Sequence, residues 1–148
     1  MRVLLLGSGG REHAMAWALK KSPRLSKLWA APGSEGMGAL AERAALDPLD
    51  GAAVARFIRE NRVELVLVGP EAPLAAGTAD AARAAGALVF GPGRAAARLE
   101  SSKAFAKEFM LRHGLPTARA CVGDAAQALA AAREFGGNCA VKADGLAA

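Results

Sequence analysis

Short apolar runs that each stop at a glycine, alternating with stretches of helical periodicity, constrain this chain more than any other feature. Val3–Leu6 is continuously apolar and ends at Gly7, as a strand buried on both faces does. Arg11–Lys21 then reads as a helix, with Ala14, Trp17 and Ala18 at i, i+3 and i+4 and a stop at Ser22-Pro23. Lys27–Ala31 is a second strand, closed by Pro32-Gly33. Asp50 caps a helix with Val54, Phe57 and Ile58 on one face and Arg56, Arg59 and Glu60 on others. Leu65–Val68 is the clearest buried strand and ends at Gly69-Pro70. A helix from about Thr78 to Ala85 stops at Gly86, and Leu88–Phe90 stops at Gly91-Pro92-Gly93.

Strand–helix–strand repetition with short loops requires crossovers, and right-handed crossovers place helices on both faces of a parallel sheet. The predicted fold class is therefore α/β, a doubly wound parallel sheet over residues 1–92. Ligands of such sheets sit at the carboxyl ends of the strands. The loops after Leu6, Ala31, Val68 and Phe90 are expected to share that edge. Beyond Gly93 the pattern changes. Arg94–Glu100 and Ser102–His113 form a helical connection over residues 93–113, the second piece carrying Phe105 and Phe109 on one face and Lys103 and Lys107 on another. Residues 114–148 read as strand Thr117–Val122, helix Asp124–Phe135 capped by Asp124, and strand Cys139–Lys142. A core of about 40 residues seldom folds alone, so this last part is expected to be the start of a second domain.

Composition narrows the function. The 53% hydrophobic content supports a core, while no apolar run approaches a bilayer-spanning length. Gly7 interrupts the apolar start before a signal-peptide core forms, which points to the cytoplasm. The net charge of +5 comes from scattered Lys and Arg that are not interleaved with the few aromatics. Nucleic-acid and membrane partners are therefore not expected, and anionic small molecules such as phosphates are. Cys121 and Cys139 match no metal or redox spacing and are read as small hydrophobes in a reducing compartment.

Three motifs carry chemistry. Gly7-Ser8-Gly9-Gly10-Arg11-Glu12-His13-Ala14 turns from the first strand into the first helix. Its glycines let the backbone approach a ligand, and the helix start offers amides to a phosphate, with Arg11 adding a charge. Glu12 stands where a dinucleotide fingerprint has its third glycine, and no acid ends the second strand, so a nicotinamide-dependent oxidoreductase is the weaker alternative. Gly69-Pro70-Glu71-Ala72-Pro73-Leu74 reads as a proline-stiffened loop. Glu71 there meets a ribose hydroxyl or an amine, or is solvated on a rigid turn. Ser102-Lys103 pairs with Val141-Lys142-Ala143-Asp144-Gly145. Lys103 is compatible with plain solvation, whereas Lys142 ends an apolar strand, where a charge needs an anionic partner or an escape to water. A non-catalytic packing module is the remaining alternative.

These blocks, with Ala31-Pro32-Gly33, Phe90-Gly91-Pro92, Leu99-Glu100-Ser101-Ser102-Lys103-Ala104-Phe105 and the continuation Leu146-Ala147-Ala148, resemble the glycinamide ribonucleotide synthetase (phosphoribosylamine–glycine ligase) family of the ATP-grasp superfamily, in order and over nearly the whole chain. The stretch Ser34-Glu35-Gly36-Met37-Gly38 departs from the family by placing a charge among small residues. The resemblance implies a Rossmann-like pre-ATP-grasp domain at 1–92, a helical connection, and the first part of an ATP-grasp domain at 114–148. It implies an enzyme joining glycine to 5-phosphoribosylamine at the expense of ATP, through glycyl phosphate, in purine biosynthesis. Gly9, Gly10, Arg11, Glu12, His13 and Glu71 would hold phosphoribosylamine, and Lys103, Lys142, Asp144, Gly145 and Leu146 would hold ATP. The accompanying Mg²⁺ or Mn²⁺ would find its ligands, and the catalytic groups their place, beyond residue 148, leaving the chain inactive by itself.

Overall fold

A computed structural model describes residues 1–146. The chain divides into two compact units, Met1–Ala97 and the remainder from Arg98.

The first unit is built on strands β1 (Arg2–Gly7), β2 (Lys27–Pro32), β3 (Glu42–Arg43), β4 (Leu65–Val68) and β5 (Leu88–Phe90). They form one parallel sheet in the order β3-β2-β1-β4-β5. Helices α1 (Gly10–Lys20), α2 (Gly51–Asn61), α3 (Glu71–Ala76) and α4 (Thr78–Ala84) connect them, and α5 (Arg94–Ser101) follows β5. The doubly wound α/β sheet is thus the one expected.

Central β1 shows why its sequence is apolar throughout. Leu4 and Leu6 face Val54 and Ile58 of α2 and Ala79 and Ala82 of α4. Val3 and Leu5 face Ala16 of α1 together with Met37 and Ala41. Alternate residues therefore enter two separate cores, and leucines with no solvent exposure contribute about 1.5–3 kcal/mol each. Trp29 completes the first core edge-to-face with Phe57, at 5.6 Å between ring centroids. Helix α2 begins as expected: the Asp50 carboxylate accepts the Ala53 amide at 2.9 Å.

Two features of this unit differ from the expectation. The proline-rich segment after β4 is not a loop but α3, with Pro70 as its cap and Pro73 buried in its first turn. Proline is tolerated there because first-turn amides have no helical acceptor to lose. The stretch 34–38 contains a 3₁₀ turn, Glu35–Met37, and leads into two-residue β3, both too short to leave a periodic signal.

The second unit holds α6 (Lys103–Arg112) and α7 (Ala125–Glu134). Both are capped as their sequences indicate, by Ser102 onto the Phe105 amide at 3.1 Å and by Asp124 onto the Gln127 amide at 2.9 Å. The strands expected at Thr117–Val122 and Cys139–Lys142 are absent: no ladder forms among the described residues of this unit. A strand exists only through a hydrogen-bonded neighbour. Instead these segments carry no regular secondary structure, with Val122 and Val141 exposed. Cys121 and Cys139 are exposed thiols rather than core residues. Ala147 and Ala148, the end of the last family-like block, lie outside the described residues.

Candidate functional site

In the order β3-β2-β1-β4-β5, connections from β1 and from β4 leave toward opposite sides of the sheet. The carboxyl ends of these two strands therefore border a crevice, where doubly wound sheets bind ligands. The two glycine-containing turns that the sequence singled out both open there. Gly69 donates its amide to Leu6 across the pair at 3.1 Å, and Gly33 donates to Gly7 at 3.2 Å, so three strand ends are tied together.

Gly9 caps α1, and its carbonyl accepts the His13 amide at 3.0 Å. The amides of Gly10, Arg11 and Glu12 have no carbonyl a turn earlier to bond, and no side chain engages them among the described residues. The Gly9 amide is different: it donates to Glu12 Oε2 at 2.8 Å. Glu12, the third residue of the helix, thus reaches back to the cap and is only 3% exposed.

A carboxylate so deeply buried needs a counter-charge, and Arg11 supplies it. Arg11 Nε donates to Glu12 Oε1 at 2.8 Å, while its Nη1 donates to Glu71 Oε1 at 3.0 Å. Glu71 opens α3, so this one guanidinium joins the turn after β1 to the turn after β4. Glu12, and less strongly Glu71, holds Arg11 protonated above its ordinary range. Arg11 in turn holds the Glu71 carboxyl below the usual carboxylate range. Two glycines make room for the arrangement. At Gly7, where φ is +126°, a Cβ would stand 2.6 Å from Glu12 Cγ, and at Gly69 it would overlap Glu12 Oε1.

His13 is exposed and approaches the 3₁₀ turn: a Cβ at Gly36 would lie 3.1 Å from its Cε1. Arg43 pairs with Glu35 and so secures that turn to β3. The structure therefore brings Gly9, Gly10, Arg11, Glu12, His13 and Glu71 to one edge.

Within the second unit, Ser102-Lys103 and Asp144-Gly145 also meet. The Ser102 hydroxyl donates to Asp144 Oδ2 at 3.0 Å, and the Ala104 amide donates to Oδ1 at 3.2 Å. These two donors, the amide first, hold the Asp144 carboxyl below its usual range. Lys103 Nζ donates to the Gly145 carbonyl at 2.6 Å. They border an open cleft of ≈ 1340 Å³ that also reaches Lys107, Lys142 and Leu146. Lys142 ends no strand; it is exposed, with no partner among the described residues. Of the two outcomes the sequence leaves open for this charge, an anionic partner or an escape to water, the exposed position is the second.

Asp80 of α4 was missed by sequence reasoning. Its Oδ2 accepts the Arg94 amide at 2.8 Å, and Arg83, one turn on, donates to the Gly91 carbonyl, fixing the turn after β5. No local spacing announces a contact across that separation. Among the described residues no three His, Cys, Asp or Glu side chains gather to hold a metal ion. Nor is any helix long and apolar enough to cross a membrane.

Comparison with known proteins gives the family of this fold. Residues 1–100 match the family described as phosphoribosylglycinamide synthetase, N domain. A phosphoribosylamine–glycine ligase of Mesorhizobium japonicum is 54% identical, and one of Brucella melitensis 53% identical, each over 100% of this chain. The chain spans 35% of the length of these relatives. The crystal structure of phosphoribosylamine–glycine ligase from Thermotoga maritima, 32% identical, matches 99% of this chain and 34% of its own with a TM-score of 0.73. With the sheet order, the opening turn and these matches in agreement, the chain belongs to the phosphoribosylglycinamide synthetase N-domain family.

Proposed function

We propose that this chain is the part of an ATP-dependent phosphoribosylamine–glycine ligase that holds 5-phosphoribosylamine. The observation that carries the reading is the Arg11 bridge between Glu12 and Glu71, set beside the open amides of α1 at the β1/β4 crevice. Those amides and the positive end of the helix suit a phosphate. Glu71 repels a phosphate and accepts from a hydroxyl or an amine, so a ligand with a phosphate at one end and donors at the other is oriented by the pair. His13 and the 3₁₀ turn border the same edge.

In the whole reaction, ATP phosphorylates the glycine carboxylate and the amine displaces phosphate from glycyl phosphate. Activation is needed because a carboxylate is a poor electrophile. Residues 1–92 serve as the substrate domain, 93–113 as the connection, and 114–148 as the start of the ATP-grasp domain. Lys103, Lys142, Asp144, Gly145 and Leu146 lie toward ATP, and Mg²⁺ or Mn²⁺ is held by other residues. On this reading the chain by itself binds without turnover. Exposed free thiols suit the reducing cytoplasm, where we place it.

Ribose 5-phosphate, a stable stand-in for the substrate, tests the reading by NMR titration. The amides of Gly10, Arg11 and Glu12 are expected to shift, and Arg11→Met to weaken binding by roughly tenfold or more. An unresponsive wild type, or one that shifts these amides with NADH instead, overturns it.

A further inference from the structure

We infer that Glu12 is a positioning residue: clamped beneath the opening turn, it sets the Arg11 guanidinium and withdraws the Gly9 amide, leaving the amides of Gly10, Arg11 and Glu12 to meet the ligand. The inference rests on the proposed substrate reading and deepens it.

Glu12 is 3% exposed, so its carboxylate does not face the crevice as a contact surface. Each oxygen is already engaged, Oε2 by Gly9 and Oε1 by Arg11. The side chain lies between the two turns and fills the space that a Cβ at Gly7 or Gly69 would need. Besides Glu12, the Arg11 guanidinium has among the described residues the one anchor Glu71, whose side chain is 47% exposed. A pair that accessible to water does not by itself hold a long side chain in one rotamer. The Nε contact with Glu12 does, and it leaves Nη2 without a partner among the described residues, free to meet an anion. Gly9, were it released, would add a fourth amide to the helix start and shift where a phosphate sits.

Glu12→Gln isolates the effect. The amide has one oxygen, so it serves Gly9 or Arg11 and sets donor against donor at the other. Gly69→Ala attacks the same carboxylate from the opposite turn. In the 148-residue chain, each is expected to weaken ribose 5-phosphate binding by roughly tenfold. The double variant is expected to be scarcely weaker than either, because both act through one group. The Arg11 Hε resonance, sharp in the wild type, should broaden in Glu12→Gln.

Equal affinity in wild type and Glu12→Gln, or fully additive losses in the double variant, overturns the inference and leaves the functional reading standing. A wild type that ignores ribose 5-phosphate overturns the functional reading. The clamp is then judged on Arg11 Hε alone: broadening in Glu12→Gln supports it, and an unchanged resonance overturns it.

Discussion

The two units obey different physics. In the first, every strand of the sheet interior faces helices on both sides, and side chains such as Leu4, Leu5, Leu6 and Val66 have no exposure. In the second, none of the described residues is fully buried, and α6 and α7 rest on half-buried contacts such as the Phe105–Phe109 pair. The first unit's shape is thus set by burial, and the second's by helix caps and local hydrogen bonds. Its apolar segments at 117–122 and 139–142 have β-type sequence without β-type pairing. Apolar sequence specifies a strand only where a neighbouring strand and a covering layer are present.

The largest test of this contrast is a pair of matched truncations. Leu5→Ala should cost about 2–5 kcal/mol, because Leu5 is wholly buried at the centre of the sheet. Leu111→Ala, at a side chain 69% exposed, should cost less than about 0.5 kcal/mol. Urea unfolding followed by circular dichroism gives both, and comparable losses would break the contrast.

Helix caps sharpen it on a smaller scale. Asp50→Ala should lower the stability of the first unit by about 1 kcal/mol, since α2 is tied into the core through Val54 and Ile58. Asp124→Ala removes the same kind of cap from α7, which has no fully buried residue. Its effect is expected as faster amide exchange within α7, with the unfolding midpoint of the first unit unchanged. A shift of that midpoint would show the two helices to be coupled to one core.

The smallest effect is electrostatic. Glu71 has its folded pKa lowered, so its contribution is present above the ordinary value of 4.5 and is lost as pH falls through the lowered folded value. Carbon-detected NMR should therefore find Glu71 titrating below 4.5, and Arg11→Met should move it back upward. Asp144 should behave alike against its ordinary 3.8, but Ser102→Ala should restore it only in part, because the Ala104 amide is the stronger influence. An unmoved Glu71 in Arg11→Met would detach the turn after β4 from the turn after β1.

Much of the candidate edge is legible in the sequence. Val3–Leu6 with Gly7, and Leu65–Val68 with Gly69, announce two buried strands ending in turns, and the crossover rule places both turns on one edge. The proline segment was misread because Pro70 and Pro73 signal a break more loudly than six residues signal a helix. The family resemblance assigns Glu12 to substrate holding, but its position in the opening motif gives no sign of which way its side chain turns. The segment ending at Lys142 was read as a strand from its apolar content, which says nothing about whether a neighbour is there to pair with it.

Periodicity, caps and glycine stops are properties of a few consecutive residues, and so the strands of the first unit other than β3, most helices and the placement of the candidate edge follow from the sequence itself. Arg11 meeting Glu71 across a separation of 60 residues, and Asp80 meeting Arg94, required the strand order and the packing of the helices on the sheet. Burial of Glu12 likewise needed two turns to close around it. Contacts of that kind depend on which elements become neighbours, a choice made by the joint burial of two cores rather than by any local stretch of chain.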